Sequence, residues 1–142
     1  VEVDIETGKV RVLSAVAAVD AGKAIHPKQC GLQNEGSLLS GLGSALFEEM
    51  VYDNGQPINS SFLEYMLPSL EDHPEQFRSV LVETPHPDGP NGAKGVGEAA
   101  LPPVAPAIGN AIANALGGAR VRDLPIKPDK IIAALNALKE KP

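Results

Sequence analysis

The residues best suited to chemistry lie at the end of a glycine-rich loop, residues 92–98, which reads Gly-Ala-Lys-Gly-Val-Gly-Glu. Glycine permits positive φ angles and close approach to the main chain, but it loses much entropy on folding. This density of glycine therefore predicts that something packs against the loop. Glu98 ends the loop, and a positioned carboxylate can accept a proton as a general base. The alternative is that Glu98 is an acid without a catalytic role near the start of the next helix.

Two nucleotide-binding motifs of similar glycine content do not fit this loop. A phosphate-binding P-loop requires Gly-Lys followed by Ser or Thr, whereas Lys94 is followed by Gly95. A dinucleotide fingerprint over residues 95–100 would have to follow a strand directly and open a helix. Loop-like residues precede it, and Pro102 and Pro103 would interrupt the helix. Both nucleotide interpretations therefore fail on their sequence context.

Composition limits the classes of function that remain. The chain has 142 residues, enough for one domain, and its net charge of −6 argues against nucleic-acid binding. No apolar run approaches the roughly 20 residues that a membrane-spanning helix needs. The single cysteine, Cys30, excludes an internal disulfide framework. Because the sequence starts on a strand-like pattern without methionine, we expect it to be part of a larger protein.

The first fifty residues predict a β-hairpin and a long helix. Residues 1–5 and 10–19 are predicted to form the hairpin around a turn at 6–9. Apolar and polar residues stop alternating at 15–19, which predicts that the second strand is buried on both faces. A helix then extends from about residue 28 to 51. Its apolar stripe consists of Leu39, Leu42, Leu46 and Met50. A second stripe is small except at its ends, so a ligand or another backbone should pack closely there: Gln33, Gly36, Ser40, Gly43 and Phe47.

The remaining residues predict one strand and two helices. The strand covers residues 77–83, one helix begins at Pro103 and ends at Gly117 and Gly118, and Pro128 opens the last helix. Residues 52–56 read as a turn, 57–70 as no regular element, and 120–124 as a short edge strand. Strands and helices without regular alternation predict an α+β fold. Its parts are an N-terminal hairpin, a glycine-containing long helix, a central strand and two C-terminal helices.

Four stretches in this order resemble the C-terminal part of a known large subunit. It is the molybdopterin-binding subunit of the molybdenum hydroxylases, the xanthine dehydrogenase and aldehyde oxidase family. The stretches are Ala18-Val19-Asp20-Ala21-Gly22 through Pro27, Gln33-Asn34-Glu35-Gly36 through 43, the loop 92–98, and Leu124-Pro125-Ile126 through Ile131. The resemblance covers nearly the whole chain. Residues 1–142 are therefore expected to be a C-terminal segment of such a molybdopterin-binding domain.

The resemblance implies an activity, cofactors and partners. The family oxidises aldehydes and N-heterocycles with water as the oxygen source. Its molybdenum is held by the molybdopterin dithiolene, so no protein metal ligand is expected. Clusters of the [2Fe-2S] type and FAD are implied on partner subunits or domains, together with the remainder of the molybdopterin subunit. We expect a cytoplasmic protein without nucleic-acid or membrane partners, and we expect the isolated chain to be inactive.

The resemblance also implies roles for individual residues. Glu98 matches the family's catalytic base, and we expect it to be buried beside the glycine-rich backbone. Gln33 matches a glutamine that contacts the pterin, and its amide offers the donor and acceptor that suit a pterin edge. Hydrogen bonding near the helix N-terminus is the alternative role for Gln33. Gly95 and Gly97 are expected to lie against the cofactor.

Departures from the family pattern keep a second function open. Leu32 and Ser37 stand where the family usually has glycine, Ser40 where it has glutamine, and His26 where it has asparagine. The alternative is a structural or assembly module with the same fold that does not bind molybdopterin.

Three further sites have an interpretation without a chemical role. Asp20 is interpreted as a turn former, because aspartate often accepts a hydrogen bond from the backbone two residues on, and the alternative is that it faces a site. Lys94 is interpreted as a solvated lysine beside the loop, with a role beside the cofactor as the alternative. Glu48 and Glu49 are interpreted as a solvated acidic face.

Overall fold

The computed structural model describes residues 1–140, which form nine regular strands and helices. In chain order these are β1 (Glu2–Val3), β2 (Val10–Arg11), β3 (Ser14–Asp20), α1 (Pro27–Leu46), β4 (Tyr52–Asp53), β5 (Gln56–Pro57), β6 (Gln76–Val82), α2 (Val104–Ala115) and α3 (Pro128–Lys139). Two short 3-10 helices lie at Leu70–Asp72 and Pro90–Gly92. The predicted α+β fold class is confirmed, with the hairpin, long helix, strand and two C-terminal helices in the expected order.

The N-terminal hairpin is confirmed but shorter than predicted. Strands β1 and β2 pair antiparallel, with Val3 opposite Val10. Asp4 closes the turn by accepting hydrogen bonds at Oδ1 from the N–H groups of Glu6 and Thr7, at 2.8 and 3.2 Å. These bonds hold the pKa of the Asp4 carboxyl below its ordinary value, the Glu6 bond having the largest effect.

The predicted single strand over residues 10–19 is wrong, because the chain leaves the hairpin after Arg11. Val12 turns into the core, and β3 then pairs in parallel with β6, with Ala18 opposite Val80. Burial on both faces of β3 is also wrong. Helix α1 covers one face of the β3–β6 pair, so side chains along β3 alternate and Val16 is 63 % exposed.

Helix α1 begins as its sequence predicts and ends earlier. Pro27 occupies the first turn, and His26 Nδ1 caps the helix by accepting a hydrogen bond from the Gln29 N–H at 3.2 Å. At the other end, the N–H groups of Phe47 and Glu48 both donate to the Gly43 carbonyl. This shared acceptor turns the chain out of the helix at Leu46, so the prediction that it continues to residue 51 is wrong.

The helices pack around one apolar core. Helix α2 crosses α1 at Gly41, where a Cβ would lie 2.5 Å from the Val104 Cβ, so only glycine permits this approach. Ile131 of α3 is fully buried in the same core, and the Ile126 N–H donates to the Ala45 carbonyl at 2.7 Å. The buried cluster consists of Val12, Leu38, Leu42, Ala45, Leu46, Val104, Ile108, Ile112, Leu116, Ala119, Ile126 and Ile131.

The small-residue stripe of α1 is closely packed only at its C-terminal end. A Cβ at Gly43 would overlap the Glu48 carboxylate and lie 3.0 Å from Pro68 Cδ. A Cβ at Gly36 would meet nothing within 4 Å, and Ser40 is exposed. Among the described residues, another backbone therefore does not cover the whole stripe, and the alternative that a ligand packs against it stays a prediction.

Local signals in the C-terminal half are mostly confirmed. Pro103 precedes α2, Gly117 and Gly118 end it with φ of 64° and 105°, and Pro128 opens α3. The turn at residues 52–56 is the β4–β5 hairpin. The edge strand at 120–124 is wrong, because these residues form no strand and pair with none of the described strands. Among residues 1–140, no helix combines the length and apolar character needed to cross a membrane.

Candidate functional site

The first half of the glycine loop lies against the residues that follow β3. Gly22 and Ala93 form an antiparallel bridge, in which Lys23 N–H donates to the Gly92 carbonyl and Lys94 N–H to the Ala21 carbonyl, each at 2.9 Å. Gly22 has a φ of 60°, and a Cβ there would overlap the Gly92 carbonyl oxygen. Glycine at position 22 is therefore required both by backbone conformation and by space.

Asp20, the last residue of β3, connects three segments around this bridge. Its Oδ1 accepts hydrogen bonds from the N–H groups of Gly22 and Thr84, at 2.9 and 3.1 Å. Its Oδ2 accepts from Lys94 Nζ at 2.6 Å. These bonds, the one from Lys94 above all, hold the pKa of the Asp20 carboxyl well below its ordinary value. The turn-forming role of Asp20 is thus confirmed, whereas the interpretation of Lys94 as a solvated lysine is wrong.

The second half of the loop is held by α1. Gln33 Nε2 donates to the Gly97 carbonyl at 2.6 Å, and the buried Ser37 hydroxyl donates to the same oxygen at 3.4 Å. The structure therefore brings Gln33 and Gly97 into direct contact across 64 positions of sequence. Both α1 side chains hold the peptide immediately before Glu98.

Glu98 itself is exposed, and among residues 1–140 its carboxylate accepts no hydrogen bond. Our expectation that these residues bury it is wrong, because the glycines around it provide no side chains to cover it. Its backbone carbonyl accepts from the Leu101 N–H at 3.1 Å, which begins the turn toward α2. The first turn of α2 contains no acidic residue, so Glu98 is not an acid that stabilises the start of that helix.

Among residues 1–140, nothing in the structure requires glycine at positions 95 and 97. Neither has a positive φ, and a Cβ on either would meet nothing within 4 Å. An alanine would therefore fit both positions without strain or overlap. The open space beside them leaves the loop backbone accessible to another body.

A cleft of about 410 Å³ runs between the start of α1 and the loop. This volume lies within the range of about 300–1,000 Å³ that small-molecule and cofactor sites occupy. Its lining includes Gln33, Lys94 and Gly97, whereas Gly95 lies outside it. His26 and Cys30 also line the cleft, but no three residues within 1–140 form a cluster of His, Cys, Asp or Glu able to hold a metal ion.

One buried polar group near the cleft escaped the sequence analysis. Asn34 is fully buried, and its Nδ2 donates to the Ser79 hydroxyl on β6 at 2.9 Å. Its Oδ1 has no partner among the described residues. Asn34 therefore ties α1 to the sheet one residue after Gln33. The sequence did not indicate that the Asn34 side chain is buried, because its burial results from the packing of α1 on β6, which is a long-range contact.

The acidic pair at the far end of α1 is not a solvated face. Glu48 Oε2 accepts a hydrogen bond from the Tyr65 hydroxyl at 2.9 Å, which raises the Tyr65 pKa. Glu49 forms an ion pair with Lys127, and this bond lowers the Glu49 pKa. Both glutamates lie away from the cleft and connect α1 to other segments.

Comparison with known proteins identifies the family. Residues 1–74 match the family described as the molybdopterin cofactor-binding domain. The chain is 36 % identical over 140 residues to the 6-hydroxypseudooxynicotine dehydrogenase complex subunit gamma of Paenarthrobacter nicotinovorans, covering 97 % of the chain. It is 40 % identical over 131 residues to the aldehyde oxidoreductase molybdenum-binding subunit PaoC of Escherichia coli, covering 91 %. It spans 18 % of the length of each of these relatives.

Solved structures give the same result. The aldehyde oxidoreductase from Desulfovibrio desulfuricans is 40 % identical with a TM-score of 0.84, over 93 % of this chain and 14 % of that one. Quinoline 2-oxidoreductase from Pseudomonas putida is 32 % identical with a TM-score of 0.84, over 99 % of this chain and 18 % of that one. The chain therefore belongs to the molybdopterin cofactor-binding domain family of the xanthine dehydrogenase and aldehyde oxidase group.

Proposed function

We propose that the chain is a C-terminal segment, residues 1–142, of a molybdenum hydroxylase large subunit that oxidises an aldehyde or an N-heterocycle. The net reaction inserts the oxygen of one water into a substrate C–H bond and releases two protons and two electrons. The relatives support these substrate classes, because their names include aldehyde and quinoline oxidoreductases. Within this reaction we assign Glu98 the role of general base and residues of the cleft that of cofactor pocket.

The open backbone at Gly95 and Gly97 carries the proposal. Among the residues that the structure describes, neither backbone conformation nor packing calls for glycine at either position, so a molecule outside the chain is the best reason for both. Gln33 would hold the cofactor through its Oε1, which accepts no hydrogen bond among residues 1–140, while its Nε2 stays on Gly97. When bound, molybdenum-molybdopterin supplies the two-electron acceptor for the substrate.

We assign the removal of the proton to Glu98, which lies outside the cleft lining and directly follows Gly97, the last residue of that lining. Its exposed carboxylate is not engaged with any described side chain, so it is available to a partner on the open side of the loop. Such positioned acid–base groups typically contribute about 10² to 10⁴ in rate. The peptide before it is fixed by Gln33 and Ser37, which limits the positions that the carboxylate can take.

The electrons require partners beyond this chain. With one cysteine, the chain cannot supply the thiolates of an iron–sulfur cluster. We therefore propose [2Fe-2S] and FAD groups on partner subunits or domains, and a cofactor pocket completed by the remainder of the molybdopterin subunit. For the same reason the isolated chain should not reduce a dye with any aldehyde or heterocycle.

The test is Glu98→Gln in the complete holoenzyme, with kcat and the contents of molybdenum and pterin measured together. Glutamine keeps the shape but cannot accept the proton, so kcat should fall at least about 10²-fold while both contents stay near wild type. Glu6→Gln is the matched control, since Glu6 is an exposed glutamate in the β1–β2 turn.

Three other results would each contradict a part of the proposed function. Retention of more than about a tenth of wild-type kcat, with chemistry rate-limiting, would place the base on another residue. Loss of molybdenum together with activity would make Glu98 a support of the pocket. A wild-type protein without molybdenum or pterin would favour the alternative of a structural module.

A further inference from the structure

The glycine loop is fixed unevenly along its length. Near its start, residues 92–94 are held by backbone hydrogen bonds to the chain after β3. Near its end, the side chains of Gln33 and Ser37 hold the Gly97 carbonyl, and among residues 1–140 the loop gains there one further backbone bond, the local one from Leu101 N–H to the Glu98 carbonyl. Between these two attachments lie only Gly95 and Val96. Because this span is so short, a displacement of Lys94 would also move the Gly97 peptide that precedes Glu98.

We propose that the Asp20–Lys94 ion pair is a positioning device for Glu98, which fixes the loop on the end of β3 and so sets where the carboxylate is presented. This rests on the proposed function, because a fixed position matters for Glu98 only if it acts as the base. Asp20 and Lys94 are positioning residues here, not catalytic ones.

The bonding of Asp20 makes it suited to this role. One carboxylate contacts three segments: the turn at Gly22, the backbone of Thr84 after β6, and the Lys94 ammonium group. A shift of any one segment is therefore transmitted to the other two. The side chains of Asp20 and Lys94 are 35 % and 30 % exposed, so water screens the pair only in part.

The alternative role for this lysine is direct contact with the cofactor, because Lys94 also lines the cleft. The two roles predict different effects for the two partners of the ion pair. A positioning device fails equally when either partner is changed. A lysine that binds the cofactor directly should suffer from its own replacement but not from loss of Asp20.

Asp20→Asn tests the ion pair without breaking the turn. Asparagine keeps an Oδ1 that can accept the hydrogen bonds of Gly22 and Thr84, whereas its NH2 group replaces Oδ2, so the negative charge and the acceptor for Lys94 are both lost. Lys94→Met removes the other partner while keeping a long unbranched side chain. Lys127→Met is the matched control, because Lys127 forms a comparably exposed ion pair with Glu49 away from the cleft.

The experiment measures kcat, KM and molybdenum content of the complete holoenzyme, and amide hydrogen exchange in residues 92–98. Asp20→Asn and Lys94→Met should each lower kcat by about 10- to 100-fold, since a displacement of about 1 Å can cost 10² in rate. KM and molybdenum content should stay near wild type, and exchange in the loop should rise. Lys127→Met should change none of these.

A double-mutant comparison decides whether the pair acts through Glu98. In the Glu98→Gln background, Lys94→Met should lower kcat by less than about twofold, because residues that act as a unit are not additive. Additive losses, or a loss confined to Lys94→Met and accompanied by lost molybdenum, would overturn the proposal. If Glu98→Gln alone leaves kcat unchanged while both ion-pair variants increase loop exchange, the proposed function fails and the mechanical role of the pair survives.

Discussion

Two lysine–carboxylate ion pairs of similar exposure lie near opposite ends of α1, and their surroundings differ. Lys94 and Asp20 are 30 % and 35 % exposed, and Lys127 and Glu49 are 38 % and 37 % exposed. Asp20 also accepts two backbone hydrogen bonds from separate segments. Among the described residues, the Glu49 carboxylate bonds only with Lys127. The first pair is therefore part of a network, and the second is an isolated bond.

This difference suggests that an ion pair can matter for the local shape of a loop without contributing much to the stability of the fold. A half-exposed ion pair by itself contributes little to folding, because water and salt screen it and both side chains lose entropy. The Glu49–Lys127 pair joins α1 to the start of α3, where the apolar core already holds both helices. The Asp20–Lys94 pair lies outside that apolar cluster, where hydrogen bonds to the loop supplement a few buried small residues such as Ala21. We therefore expect similar chemistry to matter little for the packing at one end of α1 and to matter more for the local shape of the loop at the other.

The largest expected effect follows from closing the space under the loop. Gly22→Ala in the complete enzyme should lower kcat by about 10² or more, because the new Cβ would overlap the Gly92 carbonyl and force the loop away. Amide exchange in residues 92–98 should rise with it. Gly55→Ala is the matched control, since Gly55 also has a positive φ, of 81°, but has nothing within 4 Å of a Cβ. Unchanged kcat in Gly22→Ala would show that the loop position does not govern the chemistry.

The second-largest expected effect is a loss of thermal stability caused by a substitution at the C-terminal end of α1. Gly43→Leu would displace the Glu48 carboxylate and Pro68, at a typical overpacking cost of about 1–3 kcal/mol. Heat inactivation of the holoenzyme should become faster, while kcat per molybdenum before heating should stay near wild type. Gly36→Ala should change neither the rate of heat inactivation nor kcat per molybdenum, because its Cβ would enter open space. A fall in kcat per molybdenum for Gly43→Leu would mean that the two ends of α1 are coupled.

The sequence predicts the elements that local signals define. Pro103, the Gly117-Gly118 pair and Pro128 correctly bound α2 and α3, because proline and glycine act on the backbone at their own positions. The end of α1 could not be predicted in the same way. It depends on Glu48 folding back over Gly43, and apolar periodicity continued past that point without revealing the turn.

In the candidate site too, local sequence signals revealed some residues, whereas a long-range contact could not be predicted. The loop and its glutamate stand out in the sequence because three glycines are unusual at that spacing, and Gln33 was named through the family resemblance. The Asp20–Lys94 bond joins residues 74 positions apart, and neither residue type is unusual where it stands. Such a bond follows from the parallel pairing of β3 with β6, which brings the end of β3 beside Thr84 and the loop. That pairing is a property of the whole fold.

The smallest expected effect is the pH dependence of the two ion pairs, and its sign is fixed by the direction of the pKa shifts. Hydrogen bonds from Lys94 and from Lys127 lower the pKa of Asp20 and of Glu49 below their ordinary values of 3.8 and 4.5. The folded protein thus binds these protons less readily than the unfolded chain. Each contribution is complete above the ordinary pKa and is lost as the pH falls through the lowered one.

Neither ion pair should therefore respond to pH between about 6 and 8, and both should weaken in acid. The Glu49–Lys127 pair should weaken first, because Glu49 starts from a higher ordinary pKa and lacks the backbone donors that help to keep Asp20 ionised. The measurement is the ratio of amide exchange in variant and wild-type holoenzyme, for Lys94→Met in residues 92–98 and Lys127→Met in residues 127–131. Both ratios should be constant from pH 8 to 6 and should fall toward one in acid. The ratio for Lys127→Met should fall at a higher pH than the ratio for Lys94→Met. A change between pH 8 and 6, or an earlier loss for Lys94→Met, would contradict the idea that Asp20 belongs to a network and Glu49 to an isolated pair.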